Sequence, residues 1–248
     1  MRRLRIIYRM MFLGLMLPVA WNLYGQQMLP AGLSEPKLAG EWYIPEVGYY
    51  GNQLFRKKWY KGEVFLWNGR TAHDKKLAYN VVQDALIWLD DAGGKVIRLD
   101  KGLITGFVLR DEAGKEMLFK NIRIRPLFSR DTAQVFVQVL FEGERLAIYA
   151  QRKIEDYYNK RYGGTVSDAA GTTFEPRPEY YLFDQGVQVA KMTKISRKNL
   201  FRVFPEEKKQ IKRILRKHHV AVRDEPMLIK AVELIDPILS DTVPDPQR

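Results

Sequence analysis

The stretch KGEVFLWNGRTAHDKKLAYNV, residues 61–81, decides the fold class. Val64 and Leu66 alternate with Phe65 and Trp67, the period of two that sends successive side chains to opposite faces of a strand. Asn68-Gly69 follows, a dipeptide that readily takes the positive φ angles of a tight turn between paired strands. The same texture continues in runs at 84–89, 96–99, 104–109, 116–124, 133–142 and 145–152, several of them parted by Gly93-Gly94, Gly114 and Glu142-Gly143. A further hairpin is centred on Asp184-Gln185-Gly186. No helical period interrupts these runs, so the expected fold is β-rich α+β. An antiparallel meander over residues 51–195, as a curved sheet, a sandwich or a partly closed barrel, precedes two or three C-terminal helices.

Those helices occupy residues 196–238. Ser196 is placed to accept bonds from free backbone amides at the start of the first, and apolar residues follow at 200, 201 and 204. Pro205 suits the first turn of a second helix, where its missing N–H is not needed. Glu206 and Glu207 then lie at the positive end, with Arg213, Arg216 and Lys217 toward the negative end. Ile211, Ile214 and Leu215 form the inward stripe, leaving Lys208, Lys209, Lys212, Arg213 and Arg216 outside. A third helix runs from the capping residue Asp224 through Leu228, Ala231, Val232 and Ile235, and the chain from Asp236 onward is expected to fray, with residues 239–248 as a tail.

The other end of the chain reads as a targeting segment. Arg2, Arg3, Arg5 and Arg9 make a basic head, residues 10–20 an apolar run, and Leu23 and Gly25 precede a cut that leaves Gln26 first. The alternative is an uncleaved anchor, but the apolar run is shorter than the ~20 residues that span a bilayer. Cleavage leaves no transmembrane span. Residues 26–50, with Pro30, Pro36, Pro45 and glycines at 32, 40 and 48, read as an irregular arm. The absence of cysteine excludes disulfides, thiolate metal sites, a cysteine nucleophile and a lipidated cysteine anchor.

Catalytic patterns are absent from the sequence. His73, His218 and His219 are the only histidines, none lies in an HExxH pair, and two adjacent histidines on a helix point about 100° apart. Gly93-Gly94-Lys95 lacks the upstream glycine and the following hydroxyl of a phosphate-binding loop, and no nucleophile elbow or dinucleotide glycine pattern occurs. No cofactor is expected. Paired acids at Asp90-Asp91, Glu155-Asp156 and Glu206-Glu207 each have a structural reason to exist, in turns or at a helix start.

Binding features are more evident. The formal charge of +12 falls to +8 once residues 1–25 are removed, and such an excess attracts anionic partners. Export points away from nucleic acid and toward lipopolysaccharide, acidic glycans or anionic lipid headgroups, with solubility as the plainer explanation. The exposed set Lys208, Lys209, Lys212, Arg213 and Arg216 is one candidate contact surface, its plainer reading being the wet face of an amphipathic helix. The other is the long segment 155–178, where Tyr157, Tyr158 and Tyr162 stand beside Lys160 and Arg161, its plainer reading a loop whose aromatics fold back on the sheet.

GEVFLWNGRTAHDKKLAYNVVQDALIWL and YYLFDQGVQVAKMTKISRKNLFRVFPEEKKQIKRILRKHH together resemble a group of exported Bacteroidetes proteins without an assigned biochemical activity. The resemblance implies a periplasmic or outer-membrane location and carries no catalytic residues. The expected function is that of a non-enzymatic binding or scaffold protein of the cell envelope, meeting an anionic envelope component or an envelope protein. The alternative is a hydrolase of envelope glycan or lipid, with acids such as Asp84 or Asp91 brought together only by the fold.

Overall fold

A computed structural model describes residues 35–45, 53–90, 93–125, 132–156 and 174–240. The strands are β1 (Gly40–Trp42), β2 (Tyr60–Leu66), β3 (Thr71–Asn80), β4 (Ala85–Asp90), β5 (Lys95–Leu99), β6 (Ile104–Arg110), β7 (Glu116–Ile124), β8 (Ala133–Glu142), β9 (Leu146–Gln151), β10 (Ile154–Asp156), β11 (Phe174–Pro176), β12 (Glu179–Asp184) and β13 (Val187–Met192). Three helices follow: α1 (Arg197–Val203), α2 (Lys208–Lys217) and α3 (Glu225–Ser240). The expected fold class holds: an antiparallel sheet, curved and not closed, then three C-terminal helices.

Eleven strands form one sheet in the order β1-β5-β4-β3-β2-β6-β7-β8-β9-β12-β13, and β10 pairs with β11 apart from it. Neighbours in the order are non-consecutive at three places, β1–β5, β2–β6 and β9–β12. The chain winds outward from β2 to β5, then returns to lay β6 against the free edge of β2. On a flat sheet β5 and β6 would stand four strand spacings apart, about 19 Å. Only residues 100–103 connect them, and Lys101–Leu103 are wound into a 3-10 turn that advances about 2 Å per residue. So short a link requires the sheet to curl until the end of β5 approaches the start of β6.

The curl encloses an aromatic core. Phe107 and Phe119 stack with centroids 4.7 Å apart, and Phe136 meets Phe107 edge-on at 5.1 Å. Tyr79 lies 5.3 Å from Phe119, and Phe55 closes the other side at 5.6 Å. Close strand approach helps: Gly62 on β2 stands so near the Val108 carbonyl of β6 that a Cβ there would collide with it.

Turn chemistry accounts for the hairpins. At the tip of β2 and β3 only Gly69 takes positive φ, 79°, while Asn68 Oδ1 accepts the Arg70 N–H at 3.1 Å. The loop is therefore three residues long with glycine in the left-handed position, not a two-residue Asn-Gly turn. Gln185 and Gly186, at φ 47° and 78°, do form a two-residue turn between Asp184 and Val187.

Beyond β8 the sheet serves as a platform for the helices. Leu146, Ile148, Ala150, Tyr180, Leu182 and Met192 pack with Leu200, Ile211, Leu215, Leu228, Val232 and Ile235. Ser196 Oγ accepts the Asn199 N–H at 3.2 Å and Asp224 Oδ1 the Met227 N–H at 2.9 Å, so both expected caps form. Three details differ from the sequence reading. α2 starts at Lys208 rather than Pro205, because buried Phe204 ends α1 and residues 205–207 turn the chain. α3 continues through Pro237 to Ser240, held by buried Leu239. Residues 40–42 of the irregular arm pair with β5.

Candidate functional site

An open groove of about 560 Å³ runs between the β3–β4 turn, β1 and the link to β6. It is lined by residues 39–41, 83–85 and 98–101, including the carboxylates Glu41, Asp84 and Asp100. Asp84 sits at φ 49° in the turn after β3, a left-handed position that aspartate tolerates. Its carboxylate accepts the Tyr79 hydroxyl at 2.7 Å and the Phe136 N–H at 3.2 Å, and it pairs with Lys101. Lys101 also stands 4.8 Å above the Phe136 ring. Burial and the charge of Asp84 push the Tyr79 hydroxyl well above its ordinary range, so it stays a donor. The Phe136 amide faces the side of β8 where β9 has already ended, which leaves it for Asp84.

The other two groove acids are also engaged. Glu41 pairs with Arg98, whose Nε donates at 3.1 Å, and Asp100 accepts the Gly102 N–H at 2.9 Å. General acid and base work needs two carboxylates facing a substrate with unequal proton affinities. Here each acid serves a cation, a turn or a strand amide. Asp91 lies outside the described residues, as do Tyr157, Tyr158 and Tyr162. His73 Nδ1 stands 3.5 Å from Glu63, and no group of three potential metal ligands converges among the described residues.

A second polar cluster joins sheet to helices. Arg152 donates to Glu225 through Nη1 at 2.7 Å and Nη2 at 3.0 Å, and to Gln138 through Nε at 2.8 Å. The Tyr180 hydroxyl donates to Glu225 at 3.0 Å. Burial raises the Glu225 carboxyl, but Arg152 and Tyr180 more than offset it, so the group lies below its ordinary range. Burial and Glu225 together push Tyr180 up to about 12. This cluster fastens α3 to β8 and β12, and its charged groups are engaged with one another.

The basic residues expected on α2 are where the sequence put them. Lys208, Lys209, Lys212, Arg213 and Arg216 are all exposed, and Ile211 and Leu215 are buried beneath them. Ile214, expected inward, is half-buried at the edge of the stripe. The fold gathers more charge there than α2 alone carries. Residues 194–223 hold eleven lysines and arginines against two glutamates, and all eleven are exposed. The rest of the chain after residue 25 carries 26 basic and 27 acidic residues, so the whole positive excess of residues 26–248 lies in this helical layer.

Carboxylate pairing is denser on the sheet than in the layer. Lys58, Arg98, Lys101, Arg110, Lys120, Arg145, Arg152 and Lys153 each hold a carboxylate. None of the eleven layer cations does so among the described residues; Arg197 alone makes a described side-chain hydrogen bond, to the Val220 carbonyl at 3.3 Å. No described helix is long and apolar enough to cross a membrane. Comparison with protein-family models, curated proteins and solved structures finds no match.

Proposed function

We propose that the chain is an exported cell-envelope protein that binds or scaffolds without catalysis, docking through its helical layer on an anionic envelope component. The observation that carries this reading is the layer of eleven exposed cations without carboxylate partners among the described residues, set on a domain that is otherwise close to neutral. Unpaired charge of one sign on one face attracts an opposite surface over a Debye length, about 8 Å at physiological salt. The basic head and apolar run of residues 1–20 support export, and the resemblance to exported Bacteroidetes proteins supports a periplasmic or outer-membrane place. The hydrolase alternative gains nothing from the groove, where Glu41, Asp84 and Asp100 are all committed to structural partners.

Two measurements test the reading. N-terminal sequencing of the exported chain is expected to begin at Gln26; recovery of chains beginning at Met1 in the membrane fraction removes the export half. Co-sedimentation with envelope vesicles of the source cells is expected at low salt and lost at high salt. Absence of binding at every salt concentration overturns the docking half.

A further inference from the structure

We infer that the helical layer takes a phosphate-bearing membrane leaflet, meeting lipid headgroups from outside without inserting; this rests on the docking half of the proposed function. The first ground is spacing. On α2 the cations form two rows, Lys208, Lys212, Arg216 and Lys209, Arg213, Lys217, and within each row charges recur about every 6 Å along the axis. Exposed cations on α1 and in the following loop, Arg202 and Arg223 among them, add to the charge of the two rows. A laterally continuous array of anions can engage all of them at once, which no single carboxylate site can.

The second ground is what the layer lacks. Protein interfaces are built on desolvated apolar or aromatic anchors inside a polar rim. Residues 194–223 expose no large apolar side chain, whereas the sheet domain exposes Trp42, Ile44 and Trp67. An acidic protein would find charge here but no anchor. The outer side of a helix is convex and offers no groove for a single glycan chain.

The third ground fixes the depth of contact. Interfacial helices sink an apolar face into the boundary between headgroups and acyl chains. The apolar face of α2 is already spent on the fold, with Ile211 and Leu215 fully buried, and α1 spends Leu200 and Phe204 in the same way. Contact therefore stays at the headgroups, with each lysine or arginine near the surface adding about 1 kcal/mol.

The test is co-sedimentation of the exported chain with vesicles of phosphatidylcholine alone and with a phosphatidylglycerol admixture, at low and high salt. A parallel arm uses soluble polyanions, polyglutamate and an acidic polysaccharide. Parent protein is expected to bind only the phosphatidylglycerol vesicles, to be released by high salt, and to show no blue shift of tryptophan emission. The variant Lys208→Gln/Lys209→Gln/Lys212→Gln/Arg216→Gln keeps the buried stripe and is expected to lose about a hundredfold or more in partitioning while its thermal midpoint stays unchanged. Binding to a soluble polyanion but not to vesicles overturns the leaflet and leaves the docking function standing. Binding to neither overturns both. Vesicle binding that survives high salt or the four substitutions removes the helical layer as its cause.

Discussion

Asp236 on α3 accepts the backbone N–H of Leu146, the first residue of β9, at 2.6 Å, with ninety residues of chain between them. The same carboxylate takes the N–H groups of Glu144 at 2.9 Å and Arg145 at 3.0 Å, so one buried side chain satisfies three amides of the β8–β9 turn. Arg145 completes the latch, holding Asp184 through two nitrogens and donating to the Leu239 carbonyl at 2.6 Å. α3 is thus tied to two hairpins of the sheet at the end that the sequence suggests will fray.

Asp236→Ala is expected to destabilise the protein by about 3 kcal/mol or more, since each buried N–H left without an acceptor costs about 1–3 kcal/mol. Asp236→Asn keeps one accepting oxygen but turns a donor toward a donor, so it falls between parent and alanine. Gly143→Ala attacks the same latch from the sheet side, because a Cβ there would collide with the Asp236 carboxylate. Urea unfolding of the three variants checks the order, and parent-like midpoints for Asp236→Ala would remove the latch.

Legibility followed range. The hairpins were readable because period-two alternation and glycine turns are local, as in Val64, Leu66 and Gly69. The caps at Ser196 and Asp224 were readable for the same reason. β1 was not: three exposed residues in a proline- and glycine-rich arm carry no alternation, and their strand character comes from the edge of β5. Asp236 did leave a signal, since it stands four residues after Val232 on the buried side of the helix, where an acid must find partners. The role of Asp84 left none, because Tyr79, Lys101 and Phe136 meet there only after the sheet curls. For the basic layer the residues on α2 were readable, but the lack of carboxylate partners among the described residues depends on which faces the fold turns outward.

Acid should loosen the protein in a defined window. Burial raises the carboxyls of Glu63, Glu142, Glu179 and Glu225, yet their partners, chiefly Arg110, Lys120, Lys153 with Lys191, and Arg152, leave all four below the ordinary 4.5. A lowered folded-state value means that the unfolded chain binds more protons as pH falls through 4.5, so the contribution is complete above that pH and is lost below it. Urea midpoints are expected to hold steady at neutral pH and to fall once pH drops below 4.5. Glu225→Gln is expected to be less stable than the parent at neutral pH, with the gap closing in acid. A gap independent of pH would show that Glu225 acts by packing alone.

The last prediction separates a structural Asp84 from a catalytic one. In a hydrolase, replacing the acid typically abolishes turnover and leaves the fold intact. Here the carboxylate is the acceptor for a fully buried tyrosine hydroxyl, the partner of Lys101 and the cover for a strand amide, all at the point where the curled sheet meets β8. Asp84→Ala leaves the Tyr79 hydroxyl and the Phe136 N–H without acceptors and puts a Cβ-bearing residue without a side-chain bond at φ 49°. The expected cost is about 3 kcal/mol, read from urea unfolding. Tyr79→Phe removes only a donor and is expected to cost about 1 kcal/mol. Asp84→Asn tolerates the left-handed backbone and still accepts from Tyr79, but gives up the charge that holds Lys101, so it belongs between the two. Lys101→Met then distinguishes charge from packing: combined with Asp84→Asn it should cost less than the sum of the single changes, because the pair is removed together. Full additivity, or an Asp84→Ala variant as stable as the parent, would remove this clamp and return Asp84 to the candidates for chemistry in the groove.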